Sequence, residues 1–179
     1  MKKHSSVFLA PHLTLAVLLG IRSTGLSWGA EFEPLFDGKT LAGWTTVGDA
    51  LWDVADGAIT GRSGPEAKRN CWLVTQKTYG DFVLELEVKA DSGNSGVQVR
   101  SHLDAQKVMR GYQIEVDTRP RAWSGGLYDE GRRGWLQNLE NNEAGRRAFK
   151  VGAWNQYRIE CRGDHIKSWV NAVPITDYV

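Results

Sequence analysis

Three closely spaced runs of this chain, Phe82–Lys89, Val97–His102 and Gly111–Asp117, alternate between apolar and polar residues. Successive side chains of a β-strand point to opposite faces, so a period of two predicts strands that each have one apolar and one polar face. The connectors between the runs are short, and short connections favour antiparallel neighbours. We therefore expect three strands of an antiparallel protein whose apolar faces form the core.

The last two runs carry ionisable groups on the face that is predicted to turn away from the core. Arg100 lies on one run, and Glu115 and Asp117 lie two positions apart on the other. Two carboxylates held close together raise one pKa and a nearby guanidinium lowers one, so the pair can supply a base and an acid. A solvated face with an Arg–Glu ion pair fits the same residues. The predicted shared face consists of Gln98, Arg100, His102, Gln113, Glu115 and Asp117, with Ser101 on the opposite face.

Short alternating runs continue along the chain, and helical periodicity is almost absent. Asp56-Gly57 and Gly163-Asp164 indicate tight hairpins, because such pairs accept the positive φ angles of these turns. The length of 179 residues suits one domain. We expect an all-β sandwich of two antiparallel sheets, with Leu41–Trp44 as an early strand and Leu136–Ala144 as a short helix.

A second polar face is predicted on two other strands. If the strand that contains Glu85 and Glu87 lies beside the strand that contains Arg158 and Arg162, the four side chains form exposed cross-strand ion pairs. Such pairs contribute about 0.2–1 kcal/mol each. We interpret this face as a solvated outer sheet and not as a site.

The first thirty residues have the layout of a secretory signal. A basic start at Lys2 and Lys3 is followed by an apolar stretch over residues 7–21 and by small residues. We therefore expect residues 31–179 to form the mature domain, in the periplasm or outside the cell. A retained N-terminal anchor is the alternative.

Composition and missing motifs disfavour several classes of function. The formal net charge of +1 gives no reason to expect a nucleic-acid partner. The sequence has no GxSxG, P-loop, HExxH or Rossmann glycine pattern, and no Cys/His cluster with zinc spacing. Cys71 and Cys161 fit either a disulfide in an oxidising compartment or two separate buried thiols.

The segment 119–150 breaks the alternation and is long for a connector. Trp123, Tyr128 and Trp135 lie among its glycines and charged residues. These rings either fix the loop to the sandwich or border a sugar-binding cleft, since an aromatic face can pack against a sugar ring.

Six segments resemble the 3-keto-disaccharide hydrolase family and span nearly all of the chain after residue 30. They are FDGKTLAGW (36–44), WDVADGAITG (52–61), YGDFVLELEVKADSGNSGVQVR (79–100), GYQIEVD (111–117), GLYDEGRRGW (126–135) and WNQYRIECRGDHIKSWVNAVPITDY (154–178). The resemblance implies a concanavalin A-like, laminin G-like jelly roll in a secreted protein. Similar domains continue with two further strands, which we expect this chain to lack. They also carry Asn-Gly where this chain has Asn171-Ala172, and a positive φ at Ala172 would cost about 1 kcal/mol.

The chemistry of the resembled family is elimination followed by hydration. A ketone at C3 of a sugar acidifies the hydrogen at C2, a base removes that proton, and the glycosidic oxygen leaves from C1. Water then adds to the resulting glucal, so the net reaction is hydrolysis. Such a site needs a base, a stabiliser of the enolate and a proton donor. The resemblance implies this activity on a 3-keto-glycoside or oligosaccharide, with a carbohydrate-binding module and an inactive remnant as alternatives.

Candidate roles follow from that implied chemistry. Glu115 or Asp117 is the candidate base, and Arg100 or a bound divalent cation is the candidate enolate stabiliser. Tyr128, Asp129 and Glu130 are the candidate acids. The predicted substrate contacts are Asn94, Gln98, Gln113, Tyr128, Asp129, Glu130 and Trp135. Apart from that divalent cation no cofactor is expected, and the sequence does not identify which residues would bind a metal. No nucleic-acid partner is expected, and no membrane partner beyond the signal segment.

Overall fold

The computed structural model describes residues 6–9, 16–23, 32–64 and 69–179. Fifteen strands and one helix lie within these residues. The strands are β1 (Ser6–Leu9), β2 (Ala16–Ser23), β3 (Glu33–Pro34), β4 (Trp44–Val47), β5 (Leu51–Ala55), β6 (Ala58–Arg62), β7 (Trp72–Thr75), β8 (Phe82–Lys89), β9 (Asn94–Leu103), β10 (Met109–Asp117), β11 (Leu127–Glu130), β12 (Gly134–Gln137), β13 (Trp154–Arg162), β14 (His165–Val170) and β15 (Val173–Tyr178), and the helix is α1 (Glu143–Ala148).

The strands form two large antiparallel sheets and one hairpin. The front sheet has the order β12-β11-β10-β9-β1-β7-β4, and the back sheet has the order β15-β14-β13-β8-β2-β3. Strands β5 and β6 pair only with each other among the described residues. The predicted all-β sandwich is confirmed, and its antiparallel sheets fit a jelly roll.

Two strands come from the segment that the sequence predicts to be a secretory signal. In the front sheet β1 lies between β9 and β7, and in the back sheet β2 lies between β8 and β3. Residues 1–5, 10–15 and 24–31 lie outside the described residues. The signal itself, and the location of the domain in the cell, remain predictions. No helix in the described part of the chain is long and apolar enough to cross a membrane.

The core lies between the two sheets and is built by the apolar faces that the alternation predicts. Leu84 and Leu86 of β8 face Ile114 and Val116 of β10 in one buried cluster, which Tyr157 of β13 joins. A fully buried side chain of this size contributes about 1.5–3 kcal/mol. Because these faces are fixed by burial, the polar residues between them on β10 must point outward from the front sheet.

The outer face of the back sheet carries ion pairs, as predicted, although one pairing differs. Glu85 lies opposite Arg158 in the strand register and forms an ion pair with it. Arg158 also pairs with Glu160, at 2.6 Å. Arg162 lies nearest Glu160 and not Glu87, because Glu87 is opposite an uncharged glutamine.

Two predicted elements begin at later residues than the sequence predicts. The early strand is Trp44–Val47 rather than Leu41–Trp44, since Trp44 opens a pairing with β7. The short helix begins at Glu143 rather than at residue 136, because the Asn142 side chain caps it by accepting from the Gly145 amide at 2.8 Å. Residues 136–137 instead belong to β12.

The structure shows the state of the two cysteines and the backbone conformation of the turn at Asn171. Cys71 and Cys161 are both free, buried thiols. Asn171 and Ala172 have φ angles of +49° and +65°. The turn between β14 and β15 therefore does need a positive φ at Ala172, where an alanine is strained.

Candidate functional site

The candidate site lies on the outer face of the front sheet, at the end of β10. Gln113, Glu115 and Asp117 alternate with the core residues of this strand and are buried on its outer side. Opposite them on β9 lie Gln98, Gly96 and Asn94, respectively. The predicted polar face of β10 is therefore confirmed. Its position is fixed from behind, because the Tyr157 hydroxyl donates to the Glu115 carbonyl at 3.2 Å.

A chain of amide groups orients the Glu115 carboxylate. The Gln113 Nε2 donates to Glu115 Oε2 at 2.8 Å, and the Gln98 Nε2 donates to Gln113 Oε1 at 3.0 Å. The Asn94 side chain donates to the other carboxylate oxygen. Gly96 makes this possible, because a Cβ there would lie 2.4 Å from Cγ of Gln113. We call Gln98, Gln113 and Asn94 the amide clamp.

Glu115 is poised to exchange a proton near neutral pH. Burial raises its pKa from 4.5 to about 7, against the opposing effects of the amide clamp and of a nearby arginine. Only 2% of the residue is exposed. A carboxylate with such a pKa can act as a general base without being fully ionised or fully protonated.

Asp117 has the opposite character. Burial alone would raise its pKa, but hydrogen bonds from Arg119 and Arg121 outweigh burial and lower it. The Arg119 Nε donates to Oδ1 at 2.7 Å, and the Arg121 Nε donates to Oδ2. The two acids are thus pushed apart, one toward a proton-exchanging group and one toward a permanent anion, as the sequence predicts for such a pair.

Arg121 links the two acids to a group of aromatic rings. Its Nη2 donates to Glu115 Oε1 at 2.9 Å. Its guanidinium lies over the rings of Trp123 and Trp135, 4.9 and 5.0 Å from their centres. Tyr128 packs edge-on against Trp135 at 5.2 Å. We call Trp123, Tyr128 and Trp135 the aromatic shelf. Aromatic faces pack against sugar rings and buried acids bind their hydroxyl groups, so this arrangement suits a carbohydrate ligand.

Arg119 and Arg121 are not among the site residues predicted from the sequence. The sequence carries no periodic signal for them, because both lie in an irregular loop that turns back over β10. The turn is held by Ser124, whose hydroxyl accepts from the Asp117 amide at 2.8 Å and donates to the Asp117 carbonyl at 3.0 Å. This returning loop carries Trp123 and Arg121 over the acids.

The prediction that Arg100 shares this site is wrong. A β-bulge in the pairing of β9 with β10 lies at Arg100, which has a φ of +51°. The extra residue shifts the alternation by one, so Ser101 moves to the outer face and donates to Gln98 Oε1 at 2.8 Å. Arg100 instead turns to the back sheet and pairs with Asp81 at 2.8 Å.

The other two predicted acids on β11, Asp129 and Glu130, lie on opposite faces of the strand. Asp129 lies opposite Tyr112, on the core side of the strand, and is fully buried between Arg132 and Arg133. Asp129 therefore does not lie on the face of the sheet that carries Glu115, because neighbouring residues of a strand face opposite ways. The prediction of Asp129 as an acid or substrate contact at this site is wrong. Glu130 lies on the outer face, and its pKa is raised by burial, against a hydrogen bond from Asn70.

The remaining predicted contacts do come together around Glu115 and Asp117: Asn94, Gln98, Gln113, Tyr128 and Trp135. His102 is exposed near the far end of β9. Among the described residues, no group of three or more His, Cys, Asp or Glu side chains could hold a metal ion. The oxygens of Glu115 and Asp117 already accept from arginines, so these residues do not fit the predicted divalent cation in this arrangement.

Comparison with known proteins gives one family. A family model described as a 3-keto-alpha-glucoside-1,2-lyase-like domain matches residues 31–179, which include the whole candidate site. A search of curated proteins finds no match to the chain.

Proposed function

The chain belongs to the 3-keto-alpha-glucoside-1,2-lyase-like family, and from that premise we propose that it cleaves 3-keto-glucosides with Glu115 as the base. The family indicates a carbohydrate-active function of the glycoside-processing kind. The observation that carries the finer proposal is a buried carboxylate whose pKa is about 7, held beside a guanidinium and an aromatic shelf.

Glu115 removes the proton from C2 of the sugar in this proposal. The C2–H bond electrons form the C1–C2 double bond as the C1–O bond breaks, and the C3 carbonyl stabilises the developing charge as an enolate. The amide clamp supports this role, because it fixes the carboxylate without neutralising it. A base with a pKa near the working pH transfers protons most effectively.

Arg121 stabilises the enolate, the role that is predicted from the sequence for Arg100 or a divalent cation. Its guanidinium contacts Glu115 and about a third of its side chain is exposed at the aromatic shelf, so it can also reach an oxygen of a bound sugar. Preorganised positive charge at a developing anion is commonly the largest contribution to catalysis. Asp117 acts as a positioning residue, because it holds Arg119 and Arg121 in place.

Tyr128 protonates the leaving oxygen. Of the three predicted acids it is the one that lies on the outer face directly opposite Gln113, next to the shelf. Water then adds at C1 of the glucal and passes a proton to the Tyr128 phenolate, while Glu115, whose proton exchanges with solvent between the two steps, protonates C2. The sum of the two steps is hydrolysis to a free 3-keto sugar and an alcohol.

Incubation of the chain with 3-keto-trehalose in D₂O tests the proposal. We expect glucal absorbance, release of 3-keto-glucose and deuterium at C2 of the product. Glu115→Gln should slow all three by about 10²–10⁴-fold. Glu87→Gln is the matched control, since it makes the same change on the back sheet. Equal rates for Glu115→Gln and the wild type would refute the role of Glu115.

A carbohydrate-binding module is the second candidate. It is favoured by one observation, that Arg121 covers both carboxylates while it stacks on the aromatic shelf. Binding of 3-keto-trehalose without turnover or deuterium exchange in the wild type would support this candidate over the enzyme.

A further inference from the structure

A cavity of about 580 Å³ opens at one end of the sandwich. It lies where β9 and β10 meet the β13–β14 turn and the end of β15. We call this cavity the basic end pocket, and its basic and aromatic lining residues are Arg100, His102, Tyr112, Arg132, Arg133 and Tyr178. Tyr112 lies on the core side of β10, whereas Glu115 lies on its outer side, so the pocket is separate from the candidate site.

Arg100 is the deepest charge of this pocket. The bulge turns it inward, and only 7% of its side chain is exposed. Its Nη2 binds Asp81, but its Nε is buried and has no hydrogen-bond partner in the described part of the chain. The neighbouring Cys161 does not neutralise it, because burial raises the pKa of that thiol to about 12. A buried donor without a partner is unfavourable, so the Arg100 guanidinium would gain from a further acceptor in the pocket.

Arg132 and Arg133 line the pocket from the β11–β12 turn. Both use Nε to bind the buried Asp129, at 2.7 and 2.5 Å. Both guanidiniums also lie over the Tyr112 ring, 5.1 and 5.8 Å from its centre. Arg133 also donates from Nη2 to the Tyr112 hydroxyl at 3.2 Å. The fork left at the pocket is therefore that of Arg132, and such a fork matches a carboxylate.

The balance of charge in the lining is positive. Three guanidiniums line the pocket, while the carboxylates that they pair with, Asp81 and Asp129, do not. Asp164 is the one acidic side chain among the described lining residues. An anion in the pocket would therefore meet mainly donors.

We propose that the basic end pocket binds the carboxylate of an acidic monosaccharide. The volume exceeds the needs of an inorganic anion and lies in the range of small-molecule sites. Two tyrosine rings, Tyr112 and Tyr178, lie 6.5 Å apart in the lining and offer apolar surface to a pyranose ring. The carboxylate would accept from the Arg100 guanidinium and from Arg132. This inference does not rest on the proposed function.

An NMR titration of the full chain with glucuronate, with glucose as the uncharged comparison, tests the inference. We expect saturable shifts of the Gly163 and Ser101 amides with glucuronate and none with glucose. Arg132→Ala should weaken binding at least about fivefold, and Arg100→Lys should do the same, because it keeps the charge but removes the guanidinium. Arg147→Ala is the matched control, since it removes an arginine that is 76% exposed on α1.

Thermal unfolding of each variant separates loss of binding from loss of folding. If Arg132→Ala unfolds because Asp129 loses a partner, Arg100→Lys decides the test alone. Binding of glucose as strong as that of glucuronate would overturn the inference. So would displacement of glucuronate by equimolar sulfate, or unchanged binding in Arg100→Lys.

Discussion

Glu115 should make the protein less stable as the pH rises from about 4.5 to about 7. Burial raises its pKa from 4.5 to about 7. Between these pH values the folded protein keeps a proton on Glu115 that the unfolded chain has released. A group with a raised folded-state pKa contributes stability that is present below the unfolded pKa and is lost as the pH rises through the folded pKa. At about 1.4 kcal/mol for each pKa unit, the loss is roughly 3 kcal/mol.

Urea unfolding of the wild type and of Glu115→Gln between pH 4.5 and 8.5 measures this loss. The glutamine does not titrate, so the difference in unfolding free energy between the two proteins isolates Glu115. We expect that difference to shift by about 3 kcal/mol in favour of the variant as the pH rises. The pKa of Asp117 is lowered, so its contribution to the unfolding free energy is lost only as the pH falls into the acid range. Asp117 is present in both proteins, so this contribution cancels in the difference.

A constant difference across this pH range would refute the reasoning, because it would mean that Glu115 titrates alike in the folded and unfolded chains. The same group gives a second readout in the wild type. If Glu115 is the base, kcat/KM for a 3-keto-glucoside should rise with pH and level off above about 7. A flat profile between pH 5 and 8 would contradict that assignment while leaving the stability argument intact.

Four further substitutions and one control have definite expected outcomes. Arg121→Ala should lower kcat by about 10²-fold, measured as glucal formation, while Arg158→Ala on the back sheet leaves kcat unchanged. Gly96→Ala should also lower kcat, because its Cβ displaces Gln113 from Glu115, and an unchanged kcat would show that the clamp is not needed. Ala172→Gly should raise the unfolding free energy by about 1 kcal/mol through relief of the φ of +65°. Asn171→Gly should lower it, because the Asn171 side chain bonds Ala148, Asn155 and Gln156.

The outer face of β10 could be predicted because burial determines it. Ile114 and Val116 must enter the core, so Gln113, Glu115 and Asp117 must face outward whichever strands lie beside them. The same reasoning placed Gln98 correctly, because it precedes the bulge. Strand alternation is reliable as long as the register is continuous.

The partners of Glu115 and Asp117 could not be predicted in this way. Arg119 and Arg121 lie in an irregular loop, and periodicity says nothing about where such a loop returns. Their positions depend on the Ser124 hydrogen bonds to Asp117 and on stacking against Trp123. These are contacts of tertiary structure without a repeating pattern.

The β-bulge at Arg100 explains why polar residues of β9 contribute to both the candidate site and the basic end pocket. Gly111 faces Ser101 without a side chain, and a Cβ there would lie 2.2 Å from the Ser101 Oγ. This close approach lets β9 carry one extra residue, which moves Ser101 outward to Gln98 and turns Arg100 inward to Asp81. In a regular strand Ser101 would enter the core and Arg100 would join the outer face, as the alternation predicts. One inserted residue therefore supports the amide clamp on one side of the sheet and supplies the buried cation of the basic end pocket on the other.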